Sequence, residues 1–97
     1  MRNLLFLLLF CTAFTTQAQP HTWILGGELS NSAATSVEDI DEVMPRMHAL
    51  GLNTVLVPAY WEFLEPTEGQ FDFILVDRVV RRARENDLHV VFLWFGA

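Results

Sequence analysis

Aromatic and acidic side chains crowd the segment that follows a short apolar run in the middle of the chain. The run Val55–Val57 has the composition of a strand buried on both faces of a parallel sheet, and Pro58 ends it because proline has no N–H to donate. Two aromatic residues and three acids follow, namely Tyr60, Trp61, Glu62, Glu65 and Glu68. Carboxyl groups serve as acids, bases or nucleophiles, and aromatic rings line ligand pockets. The sequence therefore predicts a ligand site at the carboxyl end of this strand.

A shorter apolar run, Trp23–Leu25, predicts a first strand ahead of this one. The paired glycines Gly26 and Gly27 come next and permit positive φ or the close approach of another backbone. The pair has two interpretations, a plain turn after the strand or a bulge that directs Glu28 into the site.

A helix is predicted between the two strands, beginning after Ser36 and ending before Gly51, which supplies a left-handed stop. Ser36 and Asp39 form a capping-box-like start, and Pro45 should kink the helix or split it. The apolar residues of this segment recur at helical spacing: Val37, Ile40, Val43, Met44, Met47 and Leu50. Its acids are interpreted as a solvated face.

A second helix is predicted at Ile74–Glu85, with Asn86-Asp87 in place of the usual terminal glycine because asparagine tolerates the left-handed region. Its arginines are interpreted as a solvated face with pairs such as Asp77 with Arg81. The apolar run His89–Phe95 predicts a third strand. The order β-α-β-α-β with short connections indicates an α/β fold with parallel strands and right-handed crossovers.

The segment G-L-N-T-V followed by Y-W-E-F-L-E-P-T-E-G-Q-F-D-F resembles the β-galactosidase-type glycoside hydrolases of families 35 and 42. In those families a similar G-x-N-x-V, then W-x-x-x-E-P-x-x-G-x-(F/Y)-D-F, marks the second strand of a TIM barrel and the loop after it. The positions that match are Gly51, Asn53, Val55, Trp61, Glu65, Pro66, Gly69, Phe71, Asp72 and Phe73. The Gly26–Leu29 segment also resembles the first-strand end of a bacterial secreted branch.

The resemblance implies that residues 19–97 are the N-terminal β-α-β-α-β portion of a (β/α)₈ TIM barrel. A complete barrel takes about 250 residues, so we expect this chain to be a fragment of a retaining glycoside hydrolase that releases terminal β-linked galactose or a related sugar. In the families resembled, the acid/base glutamate follows the fourth strand and the nucleophile the seventh. No catalytic residue is therefore assigned here, and the fragment itself is expected to be inactive.

Six residues are predicted to bind the carbohydrate substrate: Glu28, Asn31, Tyr60, Trp61, Glu65 and Trp94. The aromatic rings would stack on the apolar face of a pyranose. Each has an alternative structural interpretation, which is core packing for the aromatics, helix capping by a solvated linker for Asn31, and for Glu65 a carboxylate that holds its loop.

The first eighteen residues are predicted to be a signal peptide. Arg2 gives a positive start, Leu4–Phe10 an apolar core, and Thr16-Gln17-Ala18 small residues at the cleavage site. The alternative is a lipoprotein anchored at Cys11, although the bulky Phe10 before it disfavours this. We expect a periplasmic or extracellular protein with no stable membrane insertion after cleavage.

The composition disfavours several other functions. Six basic residues against twelve acids, a net charge of −6, argue against nucleic acid or an anionic membrane as a partner. His21, His48 and His89 share no metal-ligand spacing, and no cofactor is expected. Three alternatives stay open: a non-catalytic sugar-binding barrel, a β-glucanase or β-mannanase of the same clan, and a self-contained small βαβαβ domain.

Overall fold

In a computed structural model of the protein, residues 23–96 are described, so the predicted signal peptide, Cys11 and His21 lie outside the described residues. Three parallel strands form one sheet in the order β1-β2-β3, with β1 at Gly26–Glu28, β2 at Thr54–Tyr60 and β3 at His89–Phe95. The helices are α1 at Val37–Ala49, a single turn α2 at Trp61–Leu64, and α3 at Ile74–Glu85. A 3₁₀ turn at Asn31–Ala33 precedes α1. The predicted α/β order is confirmed.

The two long helices pack on one face of the sheet and form the core there. Within that core Ile40 and Met44 of α1 and Val55 and Val57 of β2 are almost completely buried. Burying side chains of this size contributes roughly 1.5–3 kcal/mol each. Because side chains alternate along a strand, Thr54, Leu56, Pro58 and Tyr60 point to the opposite face of the sheet.

The first strand lies three residues later than predicted, at Gly26–Glu28 instead of Trp23–Leu25. The paired glycines belong to the strand and neither has positive φ, so the turn interpretation was wrong. They pair one to one with Thr54 and Val55, so the bulge interpretation was wrong as well. A Cβ on Gly27 would lie 2.7 Å from Leu52 Cδ1 and 2.9 Å from Met47 Cε. The atoms that approach Gly27 most closely are therefore the flexible ends of two side chains and not another backbone, and an added Cβ would have to displace them.

The second strand continues through Pro58 to Tyr60, so the prediction that Pro58 ends it was wrong. The amide N–H of Leu29 donates to the Leu56 carbonyl at 2.9 Å, so the polar groups of Leu56 face β1. Those of Pro58, two residues on, face the same side. Since β1 ends opposite Leu56, the missing N–H of Pro58 breaks no hydrogen bond to it.

Helix α1 is one continuous segment around Pro45, so the helix is not split there. The Ser36 hydroxyl accepts from the Asp39 N–H at 3.2 Å, which confirms the predicted cap, and Gly51 has the expected positive φ of 83°. After α3 the left-handed residue is Asp87, with φ 52°, and not Asn86.

The arginines of α3 do not form only a solvated face. Arg82 Nε donates to Asp41 Oδ1 of α1 at 2.7 Å, and Arg78 binds the same carboxylate at 3.1 Å. These contacts lower the pKa of Asp41, with the hydrogen bond from Arg82 as the largest cause. No ion pair joins Asp77 to Arg81 among residues 23–96, so that prediction was wrong and an inter-helix pair takes its place.

Candidate functional site

A cleft of about 380 Å³ opens at the carboxyl ends of β2 and β3. It is lined by Tyr60, Trp61, Glu62, Glu65, Pro66 and Phe95. The chain leaves β2 at Tyr60 and turns at once into α2, so consecutive residues deliver aromatic and acidic side chains to one place. The cleft thus contains three of the six predicted binding residues, Tyr60, Trp61 and Glu65.

Trp61 forms one wall of the cleft and leaves about half of its surface exposed. Its indole Nε1–H donates to Glu65 Oε1 at 2.9 Å, a contact made possible because residues four apart lie on the same side of a helical turn. A buried or half-buried tryptophan needs such a partner for its only polar atom. The hydrogen bond fixes the orientation of the ring while leaving its exposed surface available.

The second carboxylate oxygen of Glu65 holds the loop that follows. Oε2 accepts from the Gly69 N–H at 3.0 Å, and Gly69 lies at φ 78° in a turn closed by the Gln70 N–H donating to the Thr67 carbonyl at 2.9 Å. That positive φ is typical of glycine at the third position of a type II turn. The hydrogen bond from Trp61, and then that from Gly69, lowers the pKa of Glu65, and desolvation opposes them.

Phe95 forms a wall of the cleft that the sequence did not predict. Its ring stacks on Tyr60 with centroids 5.4 Å apart and an interplanar angle of 24°. Tyr60 also meets Phe63 edge-on at 5.5 Å. The signal for Phe95 lies in the strand register, because Tyr60 and Phe95 are paired positions of neighbouring parallel strands and so share a face.

Three predicted binding residues lie away from the cleft lining. Trp94 pairs in register with Ala59, so it lies on the helix-covered face of the sheet, opposite to Tyr60. It is exposed, and the structure does not bring it together with Trp61. Glu28 pairs with Leu56 and shares the face of Tyr60 near the end of β1, while Asn31 is exposed on the 3₁₀ turn. Their roles in binding stay predictions.

A second cavity, of about 270 Å³, lies between the sheet and α3 and is lined mainly by apolar side chains such as Val57, Val79 and Phe92. Among residues 23–96, no three histidine, cysteine, aspartate or glutamate side chains are grouped to hold a metal ion. No helix in that part of the chain has the length and apolarity needed to cross a membrane. The cleft contains three of the six predicted binding residues and the apolar cavity only Tyr60, so the cleft is the candidate site.

Comparison with protein families gives a match over residues 31–93 to the glycoside hydrolase 42 family, described as β-galactosidase. The chain belongs to this family. The match spans the segment from the 3₁₀ turn to β3 and includes every cleft residue except Phe95. It confirms the resemblance to family 42, while the resemblance to family 35 stays a prediction. Comparison with curated proteins gave no match.

Membership of the glycoside hydrolase 42 family gives the cleft a chemical context. The motif residues Trp61, Glu65 and Gly69 are joined in this structure by two hydrogen bonds from the Trp61 and Gly69 N–H groups to one carboxylate. For Glu65 the structure thus shows the loop-holding contacts that were one of its two interpretations. Its role in binding a sugar stays a prediction.

Proposed function

We propose that this chain supplies one sector of the catalytic barrel of an exported, retaining β-galactosidase. The observation that carries the proposal is the cleft at the carboxyl end of the sheet, lined by Trp61, Tyr60 and Phe95, in a chain of the glycoside hydrolase 42 family. Active sites of β/α barrels lie at that end of the strands, and aromatic walls with a few polar groups suit a sugar ring.

The uncovered surfaces of the sheet support the barrel. On the face opposite the helices, Val91 is 47% exposed, and on the helix side Trp94 at the edge strand is 63% exposed. Within residues 23–96, β3 pairs with β2 alone. An open apolar edge strand is an aggregation liability, and closure of a barrel removes it. Further strands and a helix packed beside β3 would bury these side chains.

The reaction proposed for the whole enzyme is a double displacement. One carboxyl group protonates the leaving oxygen while a second, about 5–5.5 Å away, attacks the anomeric carbon, and water then hydrolyses the glycosyl-enzyme. Both groups would come from strands outside this sector. Glu65 is assigned neither role, since its two hydrogen bonds from the protein hold Trp61 and the following turn. The role of this sector is to bind and orient the sugar.

The test is hydrolysis of an aryl β-galactoside by the product of the whole gene, with residues 19–97 alone as the matched control. We expect turnover by the former and none by the latter, and proton NMR should show the β-anomer of galactose forming first. Activity on a β-glucan or β-mannan instead would place the protein elsewhere in the clan. Sugar binding without any turnover would identify a non-catalytic barrel and overturn the proposal.

Export is tested separately by sequencing the N-terminus of the mature protein. Cleavage after Ala18 is expected, and Cys11→Ser should leave that product unchanged. Retention in the membrane of the unsubstituted protein, abolished by Cys11→Ser, would instead favour the lipoprotein alternative.

A further inference from the structure

Two of the glutamates that line the cleft differ in what their carboxylates bind. Glu65 accepts from the Trp61 indole at 2.9 Å and from the Gly69 amide at 3.0 Å, so both of its oxygens are engaged. Glu62 lines the same cleft and is exposed, and within residues 23–96 its carboxylate has neither a hydrogen bond nor an ion pair. A carboxylate has room for several donors, so Glu62 keeps its full accepting capacity for a ligand.

The chemistry of the cleft limits what that ligand is. Its lining contains two carboxylates and no arginine, so an anionic sugar such as a uronic acid is repelled. The remaining walls are the rings of Tyr60, Trp61 and Phe95, with Pro66. A neutral molecule with an apolar face and hydroxyl donors satisfies both the rings and the unpartnered carboxylate.

We propose that Glu62 is the specificity-determining residue of the cleft, accepting hydrogen bonds from sugar hydroxyls, and that Glu65 is a positioning residue that fixes the Trp61 ring beside it. This assignment rests on the proposed function, since it takes a neutral glycoside as the occupant. It differs from the sequence-based prediction, in which Glu65 was among the sugar-binding residues and Glu62 was not. Trp61 and Glu62 both line the cleft, so the stacking surface and the acceptor can meet the same sugar.

The decisive experiment compares Glu62→Gln with Glu68→Gln in the whole enzyme, using an aryl β-galactoside and its monodeoxy analogues. Glu68 is the matched control because it is an exposed acid of the same loop and does not line the cleft. Hydrogen bonds to charged groups are among the strongest, so E62Q should lower kcat/KM by about tenfold or more. E68Q should stay within about twofold of the parent, as for ordinary surface substitutions.

The analogues identify the contact itself. In the parent enzyme, removal of the hydroxyl that binds Glu62 should lower kcat/KM strongly, and in E62Q the same removal should cost much less, since the partner is already weakened. Equal losses in parent and E62Q for every analogue would overturn the assignment, as would an E62Q enzyme indistinguishable from E68Q. The assignment is supported if one analogue loses less kcat/KM in E62Q than in the parent while the other analogues lose equally in the two enzymes.

The positioning role of Glu65 needs a readout that reports on the ring. Glu65→Gln should change the near-ultraviolet circular dichroism signal of Trp61, taken as the difference between each protein and its Trp61→Phe partner, and E62Q should leave that signal unchanged. The same signal in E65Q and the parent would overturn the positioning role. E65Q should also raise KM, because the stacking surface is no longer fixed.

Failure of the proposed function gives a different result. If the whole protein does not hydrolyse the galactoside, methyl β-galactoside binding is measured by calorimetry. Binding that weakens in E62Q and not in E68Q would keep the Glu62 assignment and overturn only the hydrolysis. Absence of both hydrolysis and binding would overturn the two together.

Discussion

The two ends of the central strand each carry a polar motif residue with several hydrogen bonds, and they use them differently. At the amino end, Asn53 Oδ1 accepts from the Leu25 amide at 2.9 Å and from the Thr54 hydroxyl at 3.0 Å, and its Nδ2 donates to the Trp23 carbonyl. At the carboxyl end, Glu65 binds an indole and a turn amide. The Asn53 side chain binds mostly backbone groups. The Glu65 side chain instead holds the half-exposed ring of Trp61, beside Glu62, whose carboxylate has no partner among residues 23–96.

That difference separates structure from function within one motif. Around Asn53 the hydrogen-bonding groups are satisfied by the chain itself, and the His89 N–H donates to its carbonyl at 2.8 Å, so all three strands are tied at this end. Around Glu65 the chain fixes Trp61 but leaves Glu62 and the aromatic surfaces available. Position in a family pattern alone would not have distinguished the two roles.

The largest expected effect is at the amino end. Asn53→Ala removes three side-chain hydrogen bonds and leaves the buried Thr54 hydroxyl without its acceptor, so it should lower the free energy of unfolding by about 2–3 kcal/mol. Urea denaturation of the whole protein measures it. Asn31→Ala, at an exposed asparagine with no described hydrogen bond from its side chain, is the matched control and should change stability little. Equal losses in the two variants would contradict the assignment.

The next effect compares two glycines at opposite ends of the sheet. Gly27→Ala places a Cβ against the flexible ends of Leu52 and Met47, which can shift, so it should destabilise by about 1 kcal/mol or less without altering KM. Gly69→Ala meets no atom within 4 Å but forces alanine to φ 78°, at a cost of about 1 kcal/mol. Because the Gly69 amide binds Glu65, this variant should also raise KM. A rise in KM for G27A would contradict the expectation that only the carboxyl end affects ligand binding.

These local features were not equally visible in the sequence. Helix α3 and strand β3 have the predicted bounds because each shows an uninterrupted pattern, helical spacing in Ile74–Glu85 and a continuous apolar run in His89–Phe95. Strand β1 was misplaced because two glycines resemble a turn, and only pairing with Thr54–Leu56, far along the chain, makes them a strand. The extension of β2 past Pro58 depends equally on where its neighbour ends.

The candidate site shows the same limit. Tyr60, Trp61 and Glu65 are close in sequence, so one helical turn brings them together and local reasoning found them. Phe95 joins them only through the register of β3 with β2, which also puts Trp94 on the other face. Whether Glu65 or Glu62 has a free carboxylate depends on the fold of the loop at Gly69, which residue types alone do not determine.

A smaller effect tests that register. Phe95→Ala removes a ring that lines the cleft and stacks on Tyr60, and it should raise KM by about three- to tenfold, the value of one aromatic contact. Trp94→Ala, one residue earlier and on the opposite face, should leave KM near that of the parent. The sequence-based assignment of Trp94 to substrate binding expects the reverse order, so steady-state kinetics on the two variants decides between them.

The smallest effect is a pH dependence that only the carboxyl end should show. The indole N–H of Trp61, and then the Gly69 amide, hold the pKa of Glu65 below its ordinary value. A depressed carboxyl pKa contributes stability that is present above the unfolded value, about 4.3, and lost as pH falls through the lower folded value. The stability difference between parent and Glu65→Gln should therefore shrink as pH is lowered from 7 towards 3, measured by urea denaturation.

The same titration of Asn53→Ala supplies the contrast, because an amide side chain carries no titrating proton over this range. The difference between parent and N53A should stay constant with pH. Asp41, whose pKa is lowered chiefly by the hydrogen bond from Arg82, titrates in every one of these proteins and so cancels in each difference. A flat profile for Glu65→Gln would mean that its carboxylate charge contributes nothing to holding Trp61 and the turn. The hydrogen bonds at the two ends of the strand would then contribute to stability in the same way, without a charge-dependent part at the carboxyl end.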